Sequence, residues 1–163
     1  MNSKSNHSLQ QEKRGFFKIR KATSEDLSLV INLDEKNTGL SKPLYWEKLF
    51  KRFSRREEER FFLVAEKAGE FVGFIIGEIR AWEFGSPPCG WIFALGVDPE
   101  HRNCGIGTQL YETICKRFEV VGIRKVRTML ARSDHLNMSF FRSQGLRGGP
   151  FIQLEKNLSK KGF

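Results

Sequence analysis

The sequence predicts a single α/β domain built on a mixed, mostly antiparallel central sheet with helices on both faces. Three observations predict it. The chain has 163 residues, enough for one well-formed core and too few for two. Its β-rich and helix-periodic runs alternate in the order β-α-α-β-β-β-α-β-α-β. Early runs are joined by hairpin chemistry and later ones by a helical crossover, so antiparallel and parallel pairings share one sheet.

Residues 1–15 are polar, lack an apolar h-region and read as a disordered tail rather than a secretory signal, leaving 16–163 as the domain. "FFKIRKA" (16–22) has the composition of a short strand. Thr23 or Ser24, followed by Glu25 and Asp26, opens a helix to about Glu35. "NTGLSKP" (37–43) is turn chemistry, and 44–59 fits a second helix with Leu44, Leu49, Phe50 and Phe53 on its apolar side. Runs 60–67 and 70–84 are strands joined by a hairpin at Ala68-Gly69. After the loop 85–90, "WIFALGV" (91–97) is a strand. Residues 105–121 form a helix whose stripe is Ile106, Leu110, Ile114 and Phe118, stopped by Gly122. A strand at 124–131, a helix at 135–145 and a last strand at 150–158 complete the order.

Twenty-eight Lys and Arg against nineteen Asp and Glu give a formal charge of +9, which favours polyanions or a phosphate-rich small molecule. The basic-aromatic run 50–60 contains Glu57, Glu58 and Glu59, which argues against a nucleic-acid groove. Cys89, Cys104 and Cys115 have no C-x-x-C spacing, so we expect no metal and reduced thiols in a cytoplasmic protein. No run approaches 18 apolar residues, so no membrane span is expected.

The most informative stretch is "HRNCGIGTQL" (101–110). It lacks the lysine of a P-loop and the third glycine of a dinucleotide fingerprint. What it offers is a strand end, Pro99, and a helix start whose first N–H groups have no internal partner and attract anions. Gly105 and Gly107 allow close approach to the backbone, and Arg102 adds a charge.

"VDPEHRNCGIGTQL" (97–110) resembles motif A of the GNAT superfamily of N-acetyltransferases, [RQ]-x-x-G-x-[GA], read here from Arg102 to Gly107. "NMSFFRSQGL" (137–146) is similar to a second signature of that superfamily in a shortened register, and the likeness covers about residues 16–158. It implies a sheet of about six to seven strands and a cofactor, acetyl-CoA or another acyl-CoA, donating to a primary amine in a ternary complex. By the same resemblance, the pyrophosphate would lie on the amides of Cys104, Gly105, Ile106, Gly107 and Thr108, with Arg102 and Asn103 beside it. The pantetheine arm would pair with Leu95, Gly96 and Val97, in a gap where strands 91–97 and 124–131 splay apart. Gly96 would mark a bulge or a close approach. Asn137, Phe140 and Phe141 match positions near the arm.

The chemistry departs from the resembled pattern. Phe141 replaces the tyrosine that commonly protonates the thiolate, and strand 91–97 has no carboxylate to serve as base. Other bases are Glu78 and Glu83, on opposite faces of the long strand 70–84, of which Glu83 could reach the cleft through water; Asp134 and His135 sit where strand 124–131 ends, with Asp134 read as a helix cap. Tyr45 and Trp46 are expected to border the acceptor, and the chain to act as a monomer or homodimer. Two readings stand: an acyl-CoA-dependent N-acetyltransferase, or a catalytically silent acyl-CoA-binding or regulatory domain.

Overall fold

The computed structural model describes residues 17–56 and 58–158, so the tail 1–15 lies outside the described residues. These residues fall into two compact units, one up to Met129 and one from Leu130 onward.

The first unit holds one five-stranded sheet in the order β1-β2-β3-β4-β5. Its strands are β1 (Lys18–Lys21), β2 (Arg60–Lys67), β3 (Glu70–Arg80), β4 (Cys89–Val97) and β5 (Val126–Arg127). The first three pairings are antiparallel, and β4 with β5 is parallel. The hairpin between β2 and β3 turns at Ala68 and Gly69, both at positive φ (50° and 82°), as a two-residue primed turn requires.

The strand count is lower than the six to seven expected. "RKVRTMLA" contributes only Val126 and Arg127, and 150–158 forms no strand. That last run carries strand-like apolar residues, yet Phe151, Ile152, Leu154 and Leu158 are exposed: β-propensity needs a neighbouring strand to act upon. β3 also stops sooner than expected, at Arg80, because Trp82 (φ 62°) and Phe84 (φ 49°) turn the backbone into a 3-10 turn over Glu83–Gly85.

Helices α1 (Leu27–Thr38) and α2 (Pro43–Phe53) cover one face of the sheet, and α3 (Ile106–Val120) covers the other. Thr23 opens the first of them through a short 3-10 turn, giving its N–H (2.7 Å) and hydroxyl (3.2 Å) to the carboxylate of Asp26. Asp26 is 2% exposed, and Arg20 grips it with two N–H bonds (2.7 and 2.8 Å) while reaching Glu66 on β2 at 2.8 Å. Burial alone would raise the Asp26 carboxyl, but Arg20 and Thr23 outweigh it and hold the group below the usual carboxylate range. α2 ends at Phe53, short of the expected 59, with Ser54 as its C-cap.

The core on the α1/α2 face joins Val30, Leu33, Trp46, Leu49 and Phe53 to Phe62, Val64, Phe74 and Ile76 of the sheet. On the other face, Ile106, Leu110, Ile114 and Phe118 of α3 are buried, as their spacing predicts. A Cβ on Gly90 would stand 2.6 Å from the Phe118 ring, so a bare strand seats that helix. The second unit contains α4 (His135–Ser143), capped by Asp134, which accepts from the Asn137 N–H at 3.1 Å.

Candidate active site

The strand that leads into the glycine pair is interrupted by a bulge. Ile76 of β3 pairs with Ala94, but Gly77 pairs with Ile92, so Phe93 is an extra residue bulged out of β4. β5 pairs with β4 only at Gly90–Val126 and Trp91–Arg127. Beyond the bulge, from Phe93 to Val97, no described strand lines that edge of β4.

Which backbone groups face this open edge follows from alternation along the strand. Asp98 donates its N–H to Val72 at 2.9 Å, toward β3. The Gly96 carbonyl also points to β3, 2.8 Å from where a Cβ of Gly73 would stand. Leu95 and Val97, at the intervening positions, therefore turn their N–H and C=O groups outward. The Val97 carbonyl already accepts from Asn37 Nδ2 at 3.3 Å. Of the bulge or close approach expected at Gly96, the structure shows the close approach, made by a core side chain. A Cβ there would lie 2.6 Å from the Phe74 ring, so the glycine makes room for a core phenylalanine, and the bulge sits at Phe93.

After β4, Asp98 caps a 3-10 turn over Pro99–His101, accepting the Glu100 N–H at 3.0 Å and Lys36 Nζ at 3.1 Å. The Glu100 N–H and Lys36 together hold the Asp98 carboxyl below its ordinary value, against a smaller opposing effect of burial. Asn103 (φ 62°) and Gly105 (φ 86°) then reverse the chain in left-handed conformation, and α3 begins at Ile106. Its first ladder bond runs from the Gln109 N–H to the Gly105 carbonyl at 3.0 Å. The N–H groups of Ile106 and Gly107 thus precede the ladder, at the positive end of the helix dipole. Among the described residues, apart from its chain neighbours, no atom lies within 4 Å of a Cβ built on Gly105, so the approach to this mouth is open there. Arg102 is exposed beside it and donates one N–H to Asn37 Oδ1 at 3.0 Å. Asn37 therefore ties the end of α1 to both β4 and the glycine loop, a link across 65 residues that no local pattern announces.

This geometry suits an elongated ligand with an anionic segment. Amides at the helix mouth match a diphosphate, and the outward groups of Leu95 and Val97 match the amides of a strand-like arm. The family model of the acetyltransferase (GNAT) family matches residues 27–146. The chain belongs to the GNAT acetyltransferase family.

An amino-acid acetyltransferase of Ectopseudomonas mendocina is 28% identical over 134 residues, covering 80% of this chain and 27% of its own length. An L-2,4-diaminobutyric acid acetyltransferase of Nocardia farcinica is 29% identical over 87 residues, covering 53% of this chain and 44% of its own. This GNAT chain thus spans about a quarter of the first of these relatives and under half of the second. Among solved structures, an aminoglycoside N-acetyltransferase in complex with CoA superposes with a TM-score of 0.75 at 14% identity, over 88% of this chain and 96% of that one. Glucosamine-6-phosphate N-acetyltransferase of Arabidopsis thaliana gives 0.69 at 20%, over 88% and 99%. At such identities the likeness establishes the fold.

The other candidate residues are placed as follows. Cys104 is half-buried, with its Sγ 3.5 Å from the Arg102 carbonyl, and Thr108 lies in the first turn of α3. Trp46 offers no surface to an acceptor: it is 2% exposed, and its Nε1 donates to Asp34 at 2.8 Å. Asp34 also holds Lys42 at 2.9 Å. Tyr45 is half exposed beside it, and burial pushes its hydroxyl above the usual phenol value. Glu83 is exposed in the 3-10 turn outside β3 rather than within the strand. Glu78 stays on β3 and is bound by Arg52, Arg60 and Arg80. In the second unit, Asn137 Nδ2 donates to Asp134 at 2.8 Å, Phe140 and Phe141 stack edge-on at 5.2 Å, and Phe141 is 4% exposed. Among the described residues no helix is long and apolar enough to cross a membrane, and no three metal-ligating side chains cluster.

Proposed function

We propose that this chain transfers an acetyl group from acetyl-CoA to a primary amine, by direct acyl transfer within a ternary complex. The observation that carries the proposal is the pairing of a helix mouth open at Gly105 with an outward-facing β4 edge, in a member of the GNAT family. The N–H groups of Ile106 and Gly107 bind the diphosphate, with Cys104, Gly105 and Thr108 lining the same turn. Arg102 keeps donors beyond the one given to Asn37 for a phosphate oxygen. Leu95 and Val97 align the arm as an added strand, and Asn103 shapes the turn. Bound acetyl-CoA supplies an activated thioester carbonyl. Asn137, Phe140 and Phe141 belong to the same assignment through their signature positions.

Proton handling narrows the acceptor. β4 carries no acidic residue, Phe141 has no proton to give, and Glu83 is solvated, where it could act only through water. A lysine amine is neutral in only about one molecule in 2,500 at pH 7, whereas an α-amine is neutral in roughly one in seven. We assign the acceptor as an α-amine or another amine of low pKa. Thiol release from acetyl-CoA at pH 7 is expected to be faster with α-amino than with ε-amino peptides; faster ε-amine acetylation would refute this assignment.

The missing acid and base favour a second reading, an acyl-CoA-binding domain without turnover. Saturable CoA binding with no thiol release across an amine panel would establish it over the first. A cytoplasmic location accords with three free cysteines, and we place the chain there as a monomer or homodimer.

A further inference from the structure

The sheet face that carries α1 and α2 holds a concentration of positive charge next to the β4 bulge. Glu78 shares this face with Phe74 and Ile76, four and two residues before it on β3. Three guanidinium groups surround its carboxylate: Arg52 Nη2 at 3.3 Å, Arg60 Nε at 3.8 Å and Arg80 Nε at 3.5 Å. One carboxylate offsets one of three like charges, so the cluster is left with two in excess. Arg60 has a structural task, giving Nη1 to the carbonyls of Arg52 (2.8 Å) and Arg55 (3.3 Å) at the end of α2. Among the described residues Arg52 and Arg80 carry no such backbone anchor, and their side chains are 48% and 34% exposed.

Both lie close to the irregular strand. Arg80 stacks over Trp91, two residues before the bulged Phe93, with its guanidinium 4.5 Å from the ring centre. Arg52 sits 5.4 Å from the centre of the Phe53 ring, and that ring meets Phe93 at 5.9 Å. Tyr45 is seven residues before Arg52 on α2, hence on the same stripe, and its hydroxyl feels the charges of both Arg52 and Glu78.

Resting on the acyl-transfer reading above, we infer that the acceptor carries a carboxylate, which docks between Arg52 and Arg80 beside Tyr45 while its amine points to the bulge at Phe93. Arginine suits this task because its planar fork matches a carboxylate, and the two side chains bring about ten N–H donors against the few acceptor positions of Glu78. Glu78 then occupies part of the donor set between turnovers and competes with the acceptor carboxylate for it.

The test has two arms. The first compares the dipeptides Gly-Gly, Gly-Asp and Gly-Glu, whose α-amines have the low pKa assigned above, with their C-terminal carboxamides as acceptors in thiol release. Amidation makes the amine easier to deprotonate, so the chemistry alone favours the carboxamide, and a preference for the free acid reports recognition. We expect the acids to be favoured about tenfold in kcat/KM, with the preference lost in Arg52→Gln through KM. Carboxamides that react as well or better would overturn the inference. The second arm needs neither turnover nor CoA: binding of glutarate to the full chain, followed by ligand-observed NMR. Wild type should bind, Arg52→Gln and Arg80→Gln should each weaken binding about tenfold, and Glu78→Gln should tighten it by freeing donors. Thermal unfolding of each variant establishes that it is folded. No glutarate binding at 20 mM, or binding indifferent to all three variants, overturns the inference. Calorimetry with CoA on the same samples separates this failure from failure of the donor reading.

Discussion

Replacing Gly96 by alanine places one methyl group where the structure has no room for it. The new Cβ would stand 2.6, 3.0 and 3.2 Å from three atoms of the Phe74 ring. Carbon atoms rest about 3.5–4.0 Å apart, so either the ring or β4 has to withdraw by about 1 Å. The ring has little freedom: it is 2% exposed and packed against Trp46 at 5.5 Å and Phe62 at 6.2 Å. Overpacking of this kind costs about 1–3 kcal/mol. At roughly 2–4 °C per kcal/mol for a chain of this length, the melting temperature should fall by about 2–12 °C. Phe74→Leu removes the ring atoms that the methyl meets, so the double variant should be more stable than the sum of the single changes by about 1 kcal/mol. Thermal unfolding followed by circular dichroism measures all four proteins. A Gly96→Ala protein that melts within 1 °C of wild type, or a cycle that is additive, would refute the wedging of Phe74 over Gly96.

Two further perturbations test the supports of the site. Asp34→Ala leaves the buried Trp46 N–H without its acceptor and should destabilise by about 2 kcal/mol, more than Trp46→Phe, in which Lys42 still pairs with Asp34; urea unfolding gives the comparison. The folded Asp26 carboxyl lies below its ordinary value of 3.8, so its contribution is present above pH 3.8 and is lost as the pH falls through the lower folded value. Asp26→Asn should therefore cost about 2 kcal/mol at pH 7 and flatten stability against pH below 4, whereas an unchanged acid limb would show that Arg20 does not hold this carboxylate.

Much of the fold is legible because its signals are local. Thr23 and Asp26 announce a helix start, Ala68-Gly69 a hairpin, and the spacing of Ile106, Leu110, Ile114 and Phe118 a buried helical stripe. The helix mouth after β4 is legible for the same reason. What escapes the sequence depends on partners far along the chain. Residues 124–131 and 150–158 have strand composition, but pairing decides whether a strand forms, and only Val126 and Arg127 find β4. The bulge falls on Phe93, a residue that carries no mark of irregularity. Trp46 is drawn inward by Asp34, twelve residues earlier, and so is lost to the acceptor surface. Glu83 leaves β3 because its neighbours Trp82 and Phe84 adopt positive φ, a choice that aromatic residues seldom make. The arginines around Glu78 come from three separate elements and meet only in the folded sheet.

The central claim is that the mouth of α3 grips the diphosphate of acetyl-CoA, and titration calorimetry with CoA tests it most directly. Wild type should release heat and saturate, and a bulky residue at Gly105 or Gly107 should weaken binding at least about tenfold while α3 stays folded by circular dichroism. No heat at millimolar CoA, or equal affinity in wild type and both variants, would contradict it.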